Sequence, residues 1–416
     1  MQKRTLVRLF TLVACLAAWS VATPTATQAQ GTETITLTDA SIVPQSVIYD
    51  AAAGTFLVGS TAKGTIYAVA PDGSTTAFIE DSEMTATVGM YLDTASNKLY
   101  VVDSSIARQM LGRTRGGFGG RQPSADGTPQ AGNPPNGQQP SDGTPQPGGQ
   151  PPTDGTSQPG QPPTMGNFNA TIALFVFDLN TKQRVLKADL TTVAAQQGLR
   201  LAYDVALDKD GNAYVTDSMA GAVYRIDPQG TLAYLSDPKF QTMGMMGGAP
   251  GQGDPNQNNG QGGTPSDQGG APGQGGFGRF GGLGLTGIVY HPDGYLILAQ
   301  ASDGKLFKIP LDNPQNVTEI TLPEAVTGAR GITLTADGKL LVATSQEKTV
   351  YVISSADQWA TATIDKKITV EIGASDITLK DGEVWVLESG TAAAQTGSDQ
   401  TTPTVSSATL TRIALN

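Results

Sequence analysis

The run "LAYDVALDKDGNAYVTDSMAGAVYRIDPQG" (201–230) alternates apolar and polar positions in short bursts. It breaks at Asp210-Gly211, then alternates again through Ala213–Val215 and Val223–Ile226. A period of two cut by an Asp-Gly turn predicts antiparallel strands joined tightly. The same pattern returns along the chain. "QSVIYDAAAGTFLVGS" begins at Gln45, "VGMYLDTASNKLYVVDS" at Val88 and "YDVALDKDGNAYVTDS" at Tyr203. "TGIVYHPDGYLILAQ" begins at Thr286, "RGITLTADGKLLVAT" at Arg330 and "SDITLKDGEVWVLES" at Ser375. A third strand usually follows, as in "TIYAVAPDG", "AVYRIDPQG" and "TVYVISS". Where nothing intervenes the units recur every 43–45 residues (Gln45 to Val88, Thr286 to Arg330, Arg330 to Ser375). That spacing fits a four-stranded blade, and radial repetition of blades leaves few open sheet edges. Six units predict one all-β domain, a six-bladed β-propeller over 30–416.

The sixth unit supplies only three strands by Asn416, while "ETITLTDA" (33–40) matches "EITLPEA" (319–325), the fourth strand of unit four. The N-terminal segment is therefore expected to be the outer strand of the last blade, removing an exposed edge. Two stretches interrupt the repeat. Residues 112–166 carry "ADGTPQAG", "SDGTPQPG" and "TDGTSQPG", and residues 243–282 carry "APGQGDPNQNNGQGGTPSDQGGAPGQGG". Neither has apolar periodicity to offset the entropy of ordering, so both are expected to be disordered loop insertions. The first falls between strands two and three of blade two, the second between blades three and four. A Thr/Ala/Ser-rich stretch (389–407) falls between strands two and three of blade six. Strands of a blade alternate in direction, so all three should rise from one face, beside the mouth of the central channel.

Composition changes the picture at the N-terminus. Lys3, Arg4 and Arg8 precede the apolar run "LFTLVACLAAWSVA" (9–22) and the small-residue segment "TPTATQA". This reads as a signal peptide over 1–29, too short for a durable membrane span, and it directs the chain to a secreted, periplasmic or cell-surface location. "LVAC" (12–15) also fits a lipoprotein box that would anchor the chain at Cys15. Cleavage after Ala29 removes the only cysteine, leaving a body without disulfides, and takes the net charge from −11 to −14. Such an acidic surface is a poor partner for nucleic acid, and the Arg-Gly-Gly-like "RTRGGFGGR" (113–121) and "GGFGRF" (275–280) do not alter that expectation. "NAT" (169–171) and "NVT" (316–318) match glycan acceptor sequons. A monomer is expected.

The phrases "VIYDAAAGTFLVGS", "VALDKDGNAYVTDS" and "GAVYRIDPQG" resemble the gluconolactonase and regucalcin-like six-bladed propellers, with a further likeness to NHL repeats. The resemblance spans 33–416 less the insertions. In the hydrolases of that family a divalent metal sits at the channel mouth, held by a Glu, two Asn and an Asp. By alignment those four positions fall on Gln45, Tyr203, Thr286 and Arg330. All four ligands are replaced, and a guanidinium stands where a carboxylate would meet the cation. No metal or other cofactor is therefore expected, calcium entering only if the chain is a hydrolase with an atypical acidic site. With one histidine, His291, expected as an exposed turn residue, zinc and His-dependent nucleophile chemistry lack their parts.

The remaining candidates for ligand contact form a polar ring. Asp103, Asp217 and Glu388 share the end of the second strand, where Asp-Ser pairs also close turns through backbone hydrogen bonds. Asp204 and Asp376 lie near the start of first strands. Arg330 either faces these two acids across the mouth or points into solvent beside Glu324. Two functions follow as expectations. The first is a binding or scaffold propeller for a small molecule or an extracellular protein or glycan. The second is a lactone or ester hydrolase using Asp204, Asp217 or Asp376.

Overall fold

The period-two segments form six antiparallel four-stranded sheets, because each strand has one face to bury and the sheets stack face to face around an axis. The computed structural model describes residues 33–107, 170–193, 199–241, 283–391 and 405–415. The leader over 1–29, the insertions 112–166 and 243–282, and most of the 389–407 stretch lie outside the described residues. Glu33–Asn416 is one compact unit. The innermost strands of blades one to six are Pro44–Asp50, Thr87–Asp93, Ala202–Leu207, Leu285–His291, Ala329–Leu334 and Ala374–Lys380. From each the chain steps outward by hairpins, so the sheet order is the sequence order in blades one to five. Tight turns make this possible. At "DKDGN", Asp208 accepts the backbone N–H groups of Asp210 and Asn212 (both 2.9 Å), and Gly211 takes φ +81°.

Between each pair of neighbouring blades lies one apolar core. Leu57, Ile66 and Ile79 of blade one meet Leu99, Val101 and Phe175 of blade two. Tyr214 and Val223 of blade three meet Leu296 and Phe307 of blade four. No disulfide is needed, because every blade is held on both faces. Among the described residues no helix is long and apolar enough to cross a membrane.

Blade six closes the ring with Thr34–Thr36 beside Val405–Ile413, pairing Thr34 with Thr411, Ile35 with Leu410 and Thr36 with Thr409. The strand is shorter than the 33–40 stretch that predicts it. It is extended by the Leu37 N–H, which donates to Ala408 O (2.9 Å), and by the Arg412 N–H, which donates to Glu33 O (2.8 Å). Leu37 drops into the core between blades six and one, with Val47, Phe56 and Trp385.

The latch should therefore carry measurable stability. Leu37→Ala is expected to cost about 2–5 kcal/mol in urea unfolding, in the range for a buried leucine. Removing residues up to Leu37 should lower the melting temperature further and promote aggregation through the bared edge. A truncated chain that melts with the intact one would refute the latch.

Candidate functional site

Every first strand opens with the same irregularity. Its ladder with the second strand slips between Pro44 and Ser46, Thr87 and Gly89, Ala202 and Val205, Leu285 and Ile288, Ala329 and Ile332, and Ala374 and Asp376. A bulge bends the strand and re-aims the residues it contains. Its first residue in successive blades is Gln45, Val88, Tyr203, Thr286, Arg330 and Ser375. Its second is Ser46, Gly89, Asp204, Gly287, Gly331 and Asp376.

Three of the first residues meet on the axis. Gln45 Nε2 of blade one donates to the Tyr203 hydroxyl of blade three (3.1 Å), and Arg330 Nη1 of blade five donates to the same oxygen (3.2 Å). Arg330 Nε donates to Ser345 Oγ (3.0 Å). Contacts between alternate blades span the channel and close it at the mouth. Tyr203 is 3% exposed and Arg330 7%. Tyr203 packs with Val88, Leu201, Ile106, Ala107 and Ala170. Burial raises the Tyr203 pKa against the pull of Arg330, keeping a neutral phenol. Arg330 thus neither points into solvent nor pairs with Asp204 or Asp376. Glu324, its alternative neighbour, pairs with Lys367. Among the described residues no carboxylate forms an ion pair with Arg330. Thr286 stays off the axis, its hydroxyl facing the carbonyls of Ala329 (3.0 Å) and Ala299 (3.3 Å).

Behind this plug lies a cavity of about 260 Å³ lined by first strands of all six blades, among them Val47, Met90, Asp204, Ile288, Ile332 and Asp376. Asp204 Oδ1 accepts its neighbour's Val205 N–H (2.8 Å), and Oδ2 accepts Ile288 N–H in blade four (3.1 Å). Asp376 repeats the arrangement with Ile377 N–H (2.9 Å) and Val47 N–H in blade one (2.8 Å). Each carboxylate therefore ties its blade to the next. Both are half-buried, but the surface they show faces the cavity deep in the ring rather than bulk solvent. Desolvation raises both pKa values and the charge of Asp376 raises Asp204 further, while the backbone N–H groups oppose. Glycine makes room for them. A Cβ on Gly331 would overlap Asp376 Oδ1, and one on Gly89 would lie 2.5 Å from Tyr203 O and 2.7 Å from Asp204 Cα.

The ends of the second strands do something else. Asp103 Oδ1 accepts Thr85 N–H and Ala86 N–H (both 2.7 Å). Glu388 Oε2 accepts Glu371 N–H (2.8 Å) and Ile372 N–H (2.9 Å). Asp217 accepts Leu201 N–H (3.1 Å), Met219 N–H (3.0 Å), Ala220 N–H (2.9 Å) and the Tyr224 hydroxyl (2.9 Å). Each is buried and pins the linker entering its own blade through those N–H groups. Buried Arg200, which donates to the Tyr224 hydroxyl (2.7 Å) and lies 3.8 Å from Asp217, joins that network without having stood out in the sequence. His291 does open the turn after its first strand, the Gly294 N–H donating to its carbonyl (2.9 Å), but it is not the exposed residue expected. It is half-buried, stacks on Tyr295 with ring centroids 4.4 Å apart, and has its pKa lowered by burial.

A metal like that of the resembling hydrolases does not fit these residues. The four aligned positions offer an amide, a phenol, a hydroxyl and a guanidinium, and the guanidinium bonds the phenol. Among the described residues no group of three or more His, Cys, Asp or Glu side chains is placed to hold a metal.

No protein-family model matches the sequence, and no curated protein does. Among solved structures the chain is similar to the major Malassezia sympodialis allergen Mala s 1, at 14% identity over 86% of this chain and 90% of that one, with a TM-score of 0.53. The fold is a six-bladed β-propeller. Virginiamycin B lyase from Staphylococcus aureus also aligns, at 12% identity over 92% of this chain and 99% of that one, with a TM-score of 0.45. A luciferin-regenerating enzyme aligns at 9% identity over 91% of this chain and 95% of that one, with a TM-score of 0.46. At 14% identity the likeness to the allergen is one of architecture, and the chemistry of this chain has to be argued from its own residues.

Two outcomes test the inner ring. Gly331→Ala is expected to cost about 1–3 kcal/mol by overpacking, and distinctly less when combined with Asp376→Gly. The second concerns pH. Groups whose pKa is raised by folding bind protons more readily folded than unfolded, so their contribution to stability falls as pH rises through the window above the ordinary 3.8. Subtracting the pH–stability curve of Asp376→Asn from that of the native chain should leave a term that declines from acid toward neutral pH. A flat difference would show that the two carboxylates titrate normally.

Proposed function

We propose that the chain is an extracytoplasmic, gluconolactonase-like propeller that works as a binding or scaffold module and not as a metal-dependent hydrolase. The observation that carries this reading is the Gln45–Tyr203–Arg330 contact, which fills the channel mouth with protein at positions where the resembling hydrolases hold a cation. The working face is the one that bears the insertions, for a small molecule or an extracellular protein or glycan. Arg330, a nearly buried cation without a carboxylate partner among the described residues, favours a neutral or anionic group there over a cation. Secretion rests on the leader alone, and the acidic charge disfavours nucleic acid.

The Asp204–Asp376 pair supports a second reading, a lactone or ester hydrolase, since carboxyls with raised pKa values facing a cavity suit general acid–base work. Against it, each carboxylate already accepts two backbone N–H groups, and the plug stands between the pair and the mouth.

Calorimetric titration with calcium, zinc and manganese separates the two. The native chain is expected to show no specific site and no turnover in a lactone screen. The combined variant Gln45→Glu, Tyr203→Asn, Thr286→Asn and Arg330→Asp is expected to gain a metal site. Tight one-to-one metal binding by the native chain, with lactone turnover, would overturn the proposal.

A further inference from the structure

The channel mouth holds more hydrogen-bond donors than acceptors. Gln45 Nε2 and Arg330 Nη1 both donate to the Tyr203 hydroxyl (3.1 and 3.2 Å), and Arg330 Nε donates to Ser345 Oγ (3.0 Å). Both hydroxyls receive, and among the described residues neither passes its own proton to an acceptor. Arg330 Nη2 has no partner among them either, and it is not sealed from solvent. Turning the Gln45 amide over would offer Oε1 to the Tyr203 proton, but Ser345 and the guanidinium would stay as they are.

The guanidinium is the costly part of this arrangement. Arg330 is 7% exposed, and an arginine does not escape burial by losing its proton. A buried charge without a counter-ion is strongly unfavourable. The acids that stand closest in the ring do not serve. Asp204 and Asp376 hold backbone N–H groups, and Glu324 pairs with Lys367. What the mouth lacks is one negatively charged acceptor.

We propose that the outer side of the mouth binds the carboxylate of an apolar monocarboxylic acid, held by Arg330 Nη2 and the Tyr203 hydroxyl. This rests on the reading of the mouth as a binding site without a metal, and it names the ligand class. A carboxylate only accepts, and hydrogen bonds from a guanidinium to it are about twice as strong as neutral ones. A sugar hydroxyl would bring one more proton to a place already rich in donors. A doubly charged phosphate is opposed by Asp204 and Asp376, whose charges are felt at Tyr203. The body of the ligand is apolar because the surroundings are. Tyr203 packs in a cluster with Val88 and Leu201, against which Leu199, Met219 and Leu283 lie only partly buried.

The test titrates the full chain with sodium hexanoate at fixed ionic strength, followed by calorimetry and by NMR of the guanidinium N–H groups. One-to-one saturation is expected, with a shift of the resonance that Arg330→Met removes. Hexanamide, hexylammonium, gluconate and phosphate should each bind at least about tenfold more weakly, the loss expected when a charge-assisted pair is missing or mismatched. Arg330→Met, of similar reach but uncharged, should abolish binding, and Tyr203→Phe should weaken it about tenfold. Asp210→Asn, on the opposite face, should leave it unchanged. The titration of the native chain decides the matter even if a variant fails to fold. The proposal is overturned if hexanoate does not bind, if hexanamide, gluconate or phosphate binds as well, or if folded Arg330→Met binds as tightly. Absence of both metal and hexanoate binding would overturn this inference alone, whereas tight metal binding with lactone turnover would overturn the reading beneath it.

Discussion

Six innermost strands converge on one axis, and the space left there decides most of what this propeller can hold. The second residue of the bulge reads Ser46, Gly89, Asp204, Gly287, Gly331 and Asp376 around the ring. Three of the six are glycines because each one touches its successor in the next blade. Gly89 lies against the backbone of Tyr203 and Asp204, Gly287 against Arg330 O, and Gly331 against the Asp376 side chain. Because Gly89 and Gly331 lack a Cβ, Asp204 and Asp376 can enter the ring and reach across to Ile288 and Val47. Each such hydrogen bond to an ionised acceptor is stronger than a neutral one, but it places a charge where water is scarce. The raised pKa values are the electrostatic consequence of binding blade to blade in this way.

The fold was legible because it is a repeat. Alternation with period two, turn residues at fixed offsets and a recurring length pointed to the same architecture, and the match of "ETITLTDA" to the fourth strand of unit four located the closing strand. The site was legible only in part. Gln45, Tyr203 and Arg330 could be placed at the mouth by alignment, but their contact depends on blades one, three and five meeting on an axis, a juxtaposition no local pattern encodes. Asp103, Asp217 and Glu388 could be ligands or turn closers on sequence grounds, and their backbone partners decide for the second role. The occurrence of aspartate at a position otherwise held by glycine was available in the aligned repeats ("VGMY", "YDVA", "TGIV", "RGIT", "SDIT") and is the signal that would have singled out Asp204 and Asp376 as a pair.

The two ends of the channel are therefore not equivalent. At the mouth, side chains from alternate blades hydrogen-bond to one another, and Ile106, Ala107 and Ala170 pack against Tyr203. Anchoring at these residues fixes where the chain leaves and re-enters the ring, and closure entropy grows only slowly with loop length, about 0.6 kcal/mol per doubling. Long insertions can then be carried at that face with little demand on the six inter-blade cores. At the opposite end the turns are short, and Tyr290 lines both the central cavity and the space between blades three and four.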